Sequence, residues 1–156
     1  MSIQELHLPS KHREQPILNP TWMAEFSRGI YQKAEQQDPQ GRSIGAASKL
    51  CFDVNSIAAE ALHNQGVEGA EYLGYDRRES KGHALIRVKG KPNYAIDLQY
   101  QQFIAPEQRV GLPDFIVFPY QTEEDVKREL TKRGVTEKHG YWLERLFWDE
   151  NGYSRR

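Results

Sequence analysis

Three stretches of the chain carry hydrophobic residues at helical spacing. The first covers 20–37 and follows Asn19 and Pro20, a typical N-cap and first helical residue. Its apolar stripe recurs every four residues: Trp22, Phe26, Ile30 and Ala34. The second begins after Ser48, the expected N-cap, and ends at Gly66. Its stripe consists of Leu50, Val54, Ile57, Ala58 and Ala61. We therefore expect an amphipathic helix in each stretch.

The third stretch begins at Thr122, another expected N-cap, and its first turn is acidic. Val126 and Leu130 supply its apolar side, and Gly134 marks its end. A block of aromatic residues over 138–148 predicts a further helix. We expect these aromatic side chains to lie in the core rather than to bind a ligand.

The spacing changes to strict alternation in the middle of the chain. Apolar residues alternate with other residues over 83–88 and again over 93–98, with a turn around Gly90 between them. The alternation places one set of side chains on a shared face of the predicted hairpin: Ala84, Ile86, Val88, Tyr94, Ile96 and Leu98. His83 and Asp97 then share the other face. A register symmetric about Gly90 makes these two residues direct partners, with Cβ atoms about 4.5–5.5 Å apart.

Two further strands are predicted over 72–75 and 114–120. The polar segment 99–113 connects the hairpin to the second of them. Residues 1–18 show no periodicity, and we expect a flexible N-terminal arm there. Because the chain has 156 residues and no recognisable linker, we expect a single domain, 1–156, of the α+β class.

Composition narrows the class of protein and its partners. Hydrophobic residues make up 38% of the chain, charged residues 28% and aromatic residues 11%, which is typical of a folded soluble protein. The net charge of -1 gives no overall attraction to nucleic acid or to an anionic membrane. No apolar run is long enough to span a bilayer, and the N-terminus lacks the apolar segment of a signal peptide. A single cysteine allows no internal disulfide, so we expect a cytoplasmic protein, or one exported by a specialised secretion system without a cleavable signal peptide.

Cys51 lies in the first turn of the second predicted helix. Unpaired amide groups and the helix dipole favour an anion there, so we expect the pKa of the Cys51 thiol to be lowered. Cys51, His83 and Asp97 supply a thiol, an imidazole and a carboxylate, the parts of an activated cysteine nucleophile. Each of these residues alone is explained as well by packing or by surface exposure. Their combination, at a helix start and on one strand face, favours a catalytic triad.

This arrangement of three residues resembles the papain-like/transglutaminase-like superfamily. The short spacings and the segments HALIRV and YAIDLQYQQF look more similar to transglutaminase-core proteins, arylamine acetyltransferases and bacterial effector deamidases than to papain itself. The resemblance covers residues 45–103. It implies a catalytic core in which a central helix carrying the cysteine packs on an antiparallel β-sheet. By the same resemblance, Cys51 is the nucleophile, His83 the general base and then acid, and Asp97 the residue that orients His83.

One part of the papain pattern is absent. Papain-type enzymes place an oxyanion-stabilising glutamine about six residues before the cysteine, where this chain has Gly45. The aromatic residue that often follows the cysteine is present as Phe52. The oxyanion would then be bound by the Cys51 amide and by a second donor, which we expect in the loop 43–49.

The resemblance implies a cofactor-independent cysteine acyl-transfer enzyme that acts on a protein or peptide substrate. Glutamine deamidation, as in bacterial effectors and toxins, is the favoured reaction, while proteolysis and transglutamination by the same residues stay open. We expect the substrate groove to be lined by Tyr75, Tyr100, Gln101 and Gln102. The main alternative is a function of a different class, a catalytically inactive protein-binding module on the same scaffold. The oligomeric state stays open.

Neither a metal nor an organic cofactor is expected. His63 lies too far along its helix from Cys51 to act as a base, and the remaining histidines show no metal-ligand spacing. The loop 41–47 contains neither a phosphate-binding nor a dinucleotide-binding glycine pattern. We therefore expect no metal, nucleotide, nucleic acid or membrane among the partners.

Overall fold

The computed structural model describes residues 15–48, 51–74 and 83–135. The helix predicted over 138–148 lies outside these ranges, as do residues 1–14 of the predicted arm. The described helices and strands, in chain order, are α1 (Pro20–Gln37), α2 (Cys51–Asn64), β1 (Ala70–Gly74), β2 (Ala84–Val88), β3 (Asn93–Asp97), β4 (Ile116–Tyr120) and α3 (Glu123–Lys132).

The four described strands form one antiparallel sheet in the order β1-β2-β3-β4. Helices α1 and α2 pack on one face, where their apolar residues form a cluster with the side chains of Ile86, Val88, Ile96 and Leu98. Helix α3 packs on the other face against a second cluster that includes Leu85, Ala95, Ile116 and Phe118. The expected α+β class is therefore confirmed. Because both faces are covered, the polar side chains of His83, Arg87 and Asp97 in the hairpin are buried.

The first helix has the predicted bounds. The side chain of Asn19 accepts a hydrogen bond from the amide of Trp22 at 3.1 Å, and Pro20 occupies the first helical position. The arm, in contrast, ends earlier than expected. Residues Pro16–Leu18 form a short 3-10 turn, and the side chain of Ile17 is only 1% exposed in the core. An apolar residue just before the helix thus anchors this part of the chain.

The described part of the second helix begins at Cys51. Residues 49 and 50 lie outside the described ranges, so the N-cap expected at Ser48 stays a prediction. The Ser48 hydroxyl donates to the carbonyl oxygen of Gly45 at 2.8 Å. The predicted end is confirmed, because Gly66 has a φ of +84° and the amide of Val67 donates back to the carbonyl of Leu62 at 3.0 Å.

The hairpin has the predicted faces but not the predicted register. Ile86 pairs with Ile96, and Val88 pairs with Tyr94, so the pairing is shifted by two residues from one that is symmetric about Gly90. His83 and Asp97 are consequently diagonal neighbours rather than direct partners. A two-residue shift keeps every side chain on its own face, so the alternation of apolar residues does not distinguish the two registers.

The remaining elements begin at slightly different residues than predicted. Strand β1 begins at Ala70 rather than at residue 72, and β4 begins at Ile116 rather than at residue 114. Thr122 caps α3 as expected, and its side chain and that of Asp125 form a reciprocal capping box. Gly134, with a φ of +92°, ends the helix.

Candidate active site

His83 and Asp97 form a buried hydrogen-bonded pair at the end of the sheet where β2 begins and β3 ends. The ring nitrogen Nε2 of His83 lies 2.6 Å from Oδ2 of Asp97, and neither side chain is exposed to solvent. The other carboxylate oxygen, Oδ1, accepts a hydrogen bond from the backbone amide of Gln99 at 2.9 Å. These two donors fix the orientation of the carboxylate, which in turn fixes the imidazole. The predicted His–Asp contact is therefore confirmed, although the strand register differs.

The second ring nitrogen of His83, Nδ1, faces the segment that follows β3. The side-chain amide nitrogen of Gln102 lies 3.4 Å from it, and the same nitrogen donates to the carbonyl of Gln99 at 3.0 Å. The ring of Phe103 contacts the imidazole edge-to-face, with centroids 4.8 Å apart. Because Asp97 occupies Nε2, Nδ1 is the nitrogen from which a proton can be exchanged with a substrate or a thiol.

The pair and helix α2 lie on different faces of the sheet. Asp97 pairs with Ile116, whose side chain belongs to the cluster on the α3 face. Phe103, the neighbour of His83, packs against the same cluster. Helix α2 packs on the opposite face through Val54 and Leu62, among others. The cysteine helix contacts the segment next to His83 at the end of the sheet where β2 begins.

Hydrogen bonds from the side chains of Asn55 and Gln99 hold the start of α2 at the end of the sheet where β2 begins. On the helix, the side chain of Asn55 donates to the backbone carbonyl of Ala84, next to His83, at 3.1 Å. Position 51 lies one helical turn before Asn55, about 6 Å along the helix axis. Before the helix, the side-chain amide of Gln99 donates to the carbonyl of Gly45 at 2.5 Å and to the hydroxyl of Ser48 at 2.6 Å. The residues on either side of position 51 in the sequence therefore contact Ala84, which follows His83, and Gln99, which bonds to Asp97.

The residues predicted to line a substrate groove divide into three groups. Tyr100 and Gln101 are buried, and the side chain of each donates a hydrogen bond to the carbonyl of Pro113. In contrast to the expectation, these two residues are therefore not exposed walls of a groove. Burial raises the pKa of Tyr100 and keeps its hydroxyl a donor. Gln102 is half-buried and contacts His83, so it belongs to the site. Tyr75 lies outside the described residues.

Tyr31 of α1 braces the end of β3 next to the pair. Its hydroxyl lies 2.6 Å from the carbonyl oxygen of Leu98 and 2.8 Å from that of Asp114. Burial, together with the nearby charges of Asp114 and Asp97, raises the pKa of Tyr31 far above its usual value. The hydroxyl therefore stays a hydrogen-bond donor over the whole physiological range of pH.

Sequence reasoning did not identify Gln99 and Asn55 as parts of this site. Both are fully buried polar residues, at 0% exposure, and both donate to backbone carbonyls of distant segments. Asn55 lies inside an otherwise apolar helical stripe, and that is the signal that could have marked it. Gln99 follows the strand in a polar run and carries no comparable signal.

Comparison of the chain with family models, with curated proteins and with solved structures gave no match. In the ranges that the structure describes, no group of three or more His, Cys, Asp and Glu side chains is arranged to bind a metal ion. The helices in those ranges are also too short or too polar to cross a bilayer. The geometry around His83 and Asp97 is therefore the basis for assigning a function.

Proposed function

We propose that the protein is a cysteine hydrolase or acyltransferase that cleaves the carboxamide of a protein or peptide substrate. Cys51 is the nucleophile, His83 transfers the proton, and Asp97 orients His83. The papain-like or transglutaminase-like arrangement of these residues is part of the same proposal. Deamidation of a glutamine side chain is the favoured outcome among the amide reactions that this triad can perform, on the strength of the sequence resemblance.

The chemistry proceeds through a thioester. The Cys51 thiol gives its proton to Nδ1 of His83, and the resulting thiolate attacks the carbonyl carbon. The tetrahedral intermediate then collapses with cleavage of the C–N bond. The leaving nitrogen takes a proton from Nδ1 of His83 and departs as ammonia or an amine. Water then attacks the thioester and gives a proton back to Nδ1. The second collapse releases a carboxylic acid and regenerates the thiolate.

The observation that carries this proposal is the contact between Nε2 of His83 and Asp97 at 2.6 Å. A carboxylate that accepts from one ring nitrogen holds the imidazole in the tautomer whose other nitrogen accepts a proton. The only cysteine of the chain is the first described residue of a helix that contacts the strand beginning next to His83. A helix N-terminus stabilises a thiolate. The three groups therefore combine an oriented base with a favourable position for the nucleophile.

A second candidate function is a protein-binding module in which His83 and Asp97 have a structural role. The full burial of both side chains favours it, because a buried histidine is commonly paired with a carboxylate for stability alone. The packing of α2 on the other face of the sheet favours it as well. In such a module, the Cys51 thiol has an ordinary reactivity that does not depend on His83.

The rate of Cys51 alkylation by iodoacetamide, measured from about pH 4 to pH 9, separates the two candidates. The enzyme requires rapid labelling near pH 6 in the wild type and a shift towards an ordinary thiol midpoint of about 8.5 in His83→Ala. His63→Ala is the matched control, since His63 is exposed at the far end of the same helix and should leave the profile unchanged. Cys51→Ala should abolish labelling and change the free energy of unfolding by no more than about 1–2 kcal/mol.

Two outcomes would contradict the enzyme. One is a wild-type midpoint near the ordinary thiol value of about 8.5, and the other is a low midpoint that His83→Ala leaves unchanged. Either result would favour the binding module. Once an activated thiol is established, release of ammonia from glutamine-containing peptides would distinguish deamidation from cleavage of the peptide chain.

A further inference from the structure

We infer that Gln99 is a positioning residue, which holds the segment before Cys51 at a set distance from the His83–Asp97 pair. This inference rests on the proposed function and deepens it, because it names the residue that connects the two halves of the site.

Gln99 contacts the site through three of its groups. Its backbone amide donates to Oδ1 of Asp97, and its backbone carbonyl accepts from the side chain of Gln102. Its side-chain amide donates to the carbonyl of Gly45 at 2.5 Å and to the hydroxyl of Ser48 at 2.6 Å. The backbone groups therefore support the histidine–carboxylate pair, while the side chain alone reaches the segment that leads into α2.

Because Ser48 is close to Cys51 along the chain, the hydrogen bonds of Gln99 to Gly45 and Ser48 restrict the position of Cys51. Three peptide units separate the two residues, so position 51 lies within about 11 Å of Ser48, measured between Cα atoms. Ser48 lies outside the helix, and the hydroxyl that bonds to Gly45 is the one that accepts from Gln99. Without the Gln99 amide, this segment keeps its local turn and the burial of Ile44 and Ala46, but it loses its hydrogen bonds to the residue that also binds Asp97. A displacement of about 1 Å at a reacting group is enough to reduce a rate by about 10².

Replacement of Gln99 by Met tests this role selectively. Methionine has a similar length and volume but no donor, so Gln99→Met removes the bonds to Gly45 and Ser48 and keeps both backbone contacts. Gln101→Met is the matched control. Gln101 is also buried, at 7% exposure, and its amide also donates to a backbone carbonyl, that of Pro113, at 2.7 Å. That carbonyl has no part in the site.

The experiment measures the pH profile of Cys51 alkylation by iodoacetamide in the full-length wild type and in both variants. In Gln99→Met we expect the midpoint to rise by about one pH unit, which lowers the thiolate fraction about tenfold at pH values well below the midpoint. Gln101→Met should keep the wild-type midpoint. The downfield proton resonance of the His83 ring N–H bonded to Asp97 should persist in Gln99→Met, because the pair itself is not touched.

An unchanged midpoint in Gln99→Met, or equal shifts in both variants, would overturn the inference. So would loss of the His83 ring resonance in Gln99→Met, since the side chain would then act on the pair and not on the segment before Cys51. If Gln99→Met does not unfold cooperatively in urea, the same profile is measured on Ser48→Ala. This variant removes one of the two acceptors and should shift the midpoint in the same direction by a smaller amount. An unshifted midpoint in Ser48→Ala would overturn the inference. An ordinary wild-type thiol profile would instead contradict the proposed function itself.

Discussion

Two hydrogen-bonded clusters in this protein use similar side chains but connect different parts of the chain. The site network joins three separate segments of the chain: Gly45, Ser48, His83, Asp97, Gln99 and Gln102. The α3 network lies on one helix and its cap: Thr122, Asp125, Arg128, Glu129 and Arg133. The first is buried or half-buried and its links span up to 54 residues, whereas the second is half-buried to exposed and every link spans three or four residues.

This difference indicates which polar contacts contribute most to the stability of the fold. An exposed ion pair competes with water and salt, so the α3 network adds little to stability beyond its helix cap. A buried polar group has no water to replace a lost partner, so each deletion in the site network leaves an unsatisfied atom. A buried polar network of this kind lowers stability when any of its hydrogen bonds is missing. Such clusters are found mostly where a protein holds particular groups in fixed positions.

The largest expected effect is that of Asp97→Ala. It removes the acceptor for both the His83 ring and the Gln99 amide, so we expect a loss of about 2–5 kcal/mol in the free energy of unfolding, measured in urea. Asp97→Asn should cost less, because its amide oxygen can still accept from the Gln99 amide. Its NH2 group, however, would force the His83 proton onto Nδ1, and the Cys51 alkylation profile should become that of an ordinary thiol. Retention of the wild-type profile in Asp97→Asn would contradict the orienting role.

Tyr31→Phe should have an intermediate effect. The Tyr31 hydroxyl joins α1 to the carbonyls of Leu98 and Asp114, so its loss leaves buried acceptors without a donor. We expect a decrease of about 1–2 kcal/mol in the free energy of unfolding. A loss below about 0.5 kcal/mol would show that water replaces the hydroxyl, and this long-range contact would then resemble the exposed network.

Thr122→Ala tests the other side of the comparison. The Thr122 side chain accepts from the amide of Asp125 at the start of α3, and removing a helix cap of this kind costs about 1 kcal/mol. The Cys51 alkylation profile should stay that of the wild type, since α3 has no described contact with the segment before Cys51. A shifted profile would show that the two networks are coupled through the sheet.

The smallest effect is the pH dependence due to Asp125. Backbone amides of Gln121 and Thr122, with the side chain of Arg128, lower the pKa of Asp125 from its ordinary 3.8 to about 2. A lowered pKa in the folded state stabilises the protein above pH 3.8, and this stabilisation is lost as the pH falls through about 2. Asp125→Asn should therefore flatten the fall of unfolding free energy with acid in this window. Because the Asp125 carboxylate is accessible to solvent, salt should reduce the difference in acid sensitivity between the wild type and Asp125→Asn.

An equally steep fall of the unfolding free energy in Asp125→Asn would contradict this prediction and assign the acid sensitivity to other carboxylates.

Much of the local structure is predictable from the sequence. The starts of α1 and α3 and the ends of α2 and α3 follow from caps and glycines that act within a few residues: Asn19, Thr122, Gly66 and Gly134. The shared face of His83 and Asp97 follows from strict alternation in the hairpin. The proximity of these two residues, on which the candidate site depends, was therefore predicted without any structure.

Three features depend on the tertiary structure. The hairpin register is shifted by two residues, because such a shift preserves every face and only the turn and the neighbouring strands select between the two. Tyr100 and Gln101 look like a polar loop in the sequence, yet they turn inward because the carbonyl of Pro113 accepts from both. Gln99 reaches Gly45 across 54 residues of chain, a contact that exists only when α1, α2 and β3 are packed together. The sequence alone thus determined the helices and the faces of the hairpin, since these arise from neighbours along the chain, while packing between distant segments decided how the site is held together.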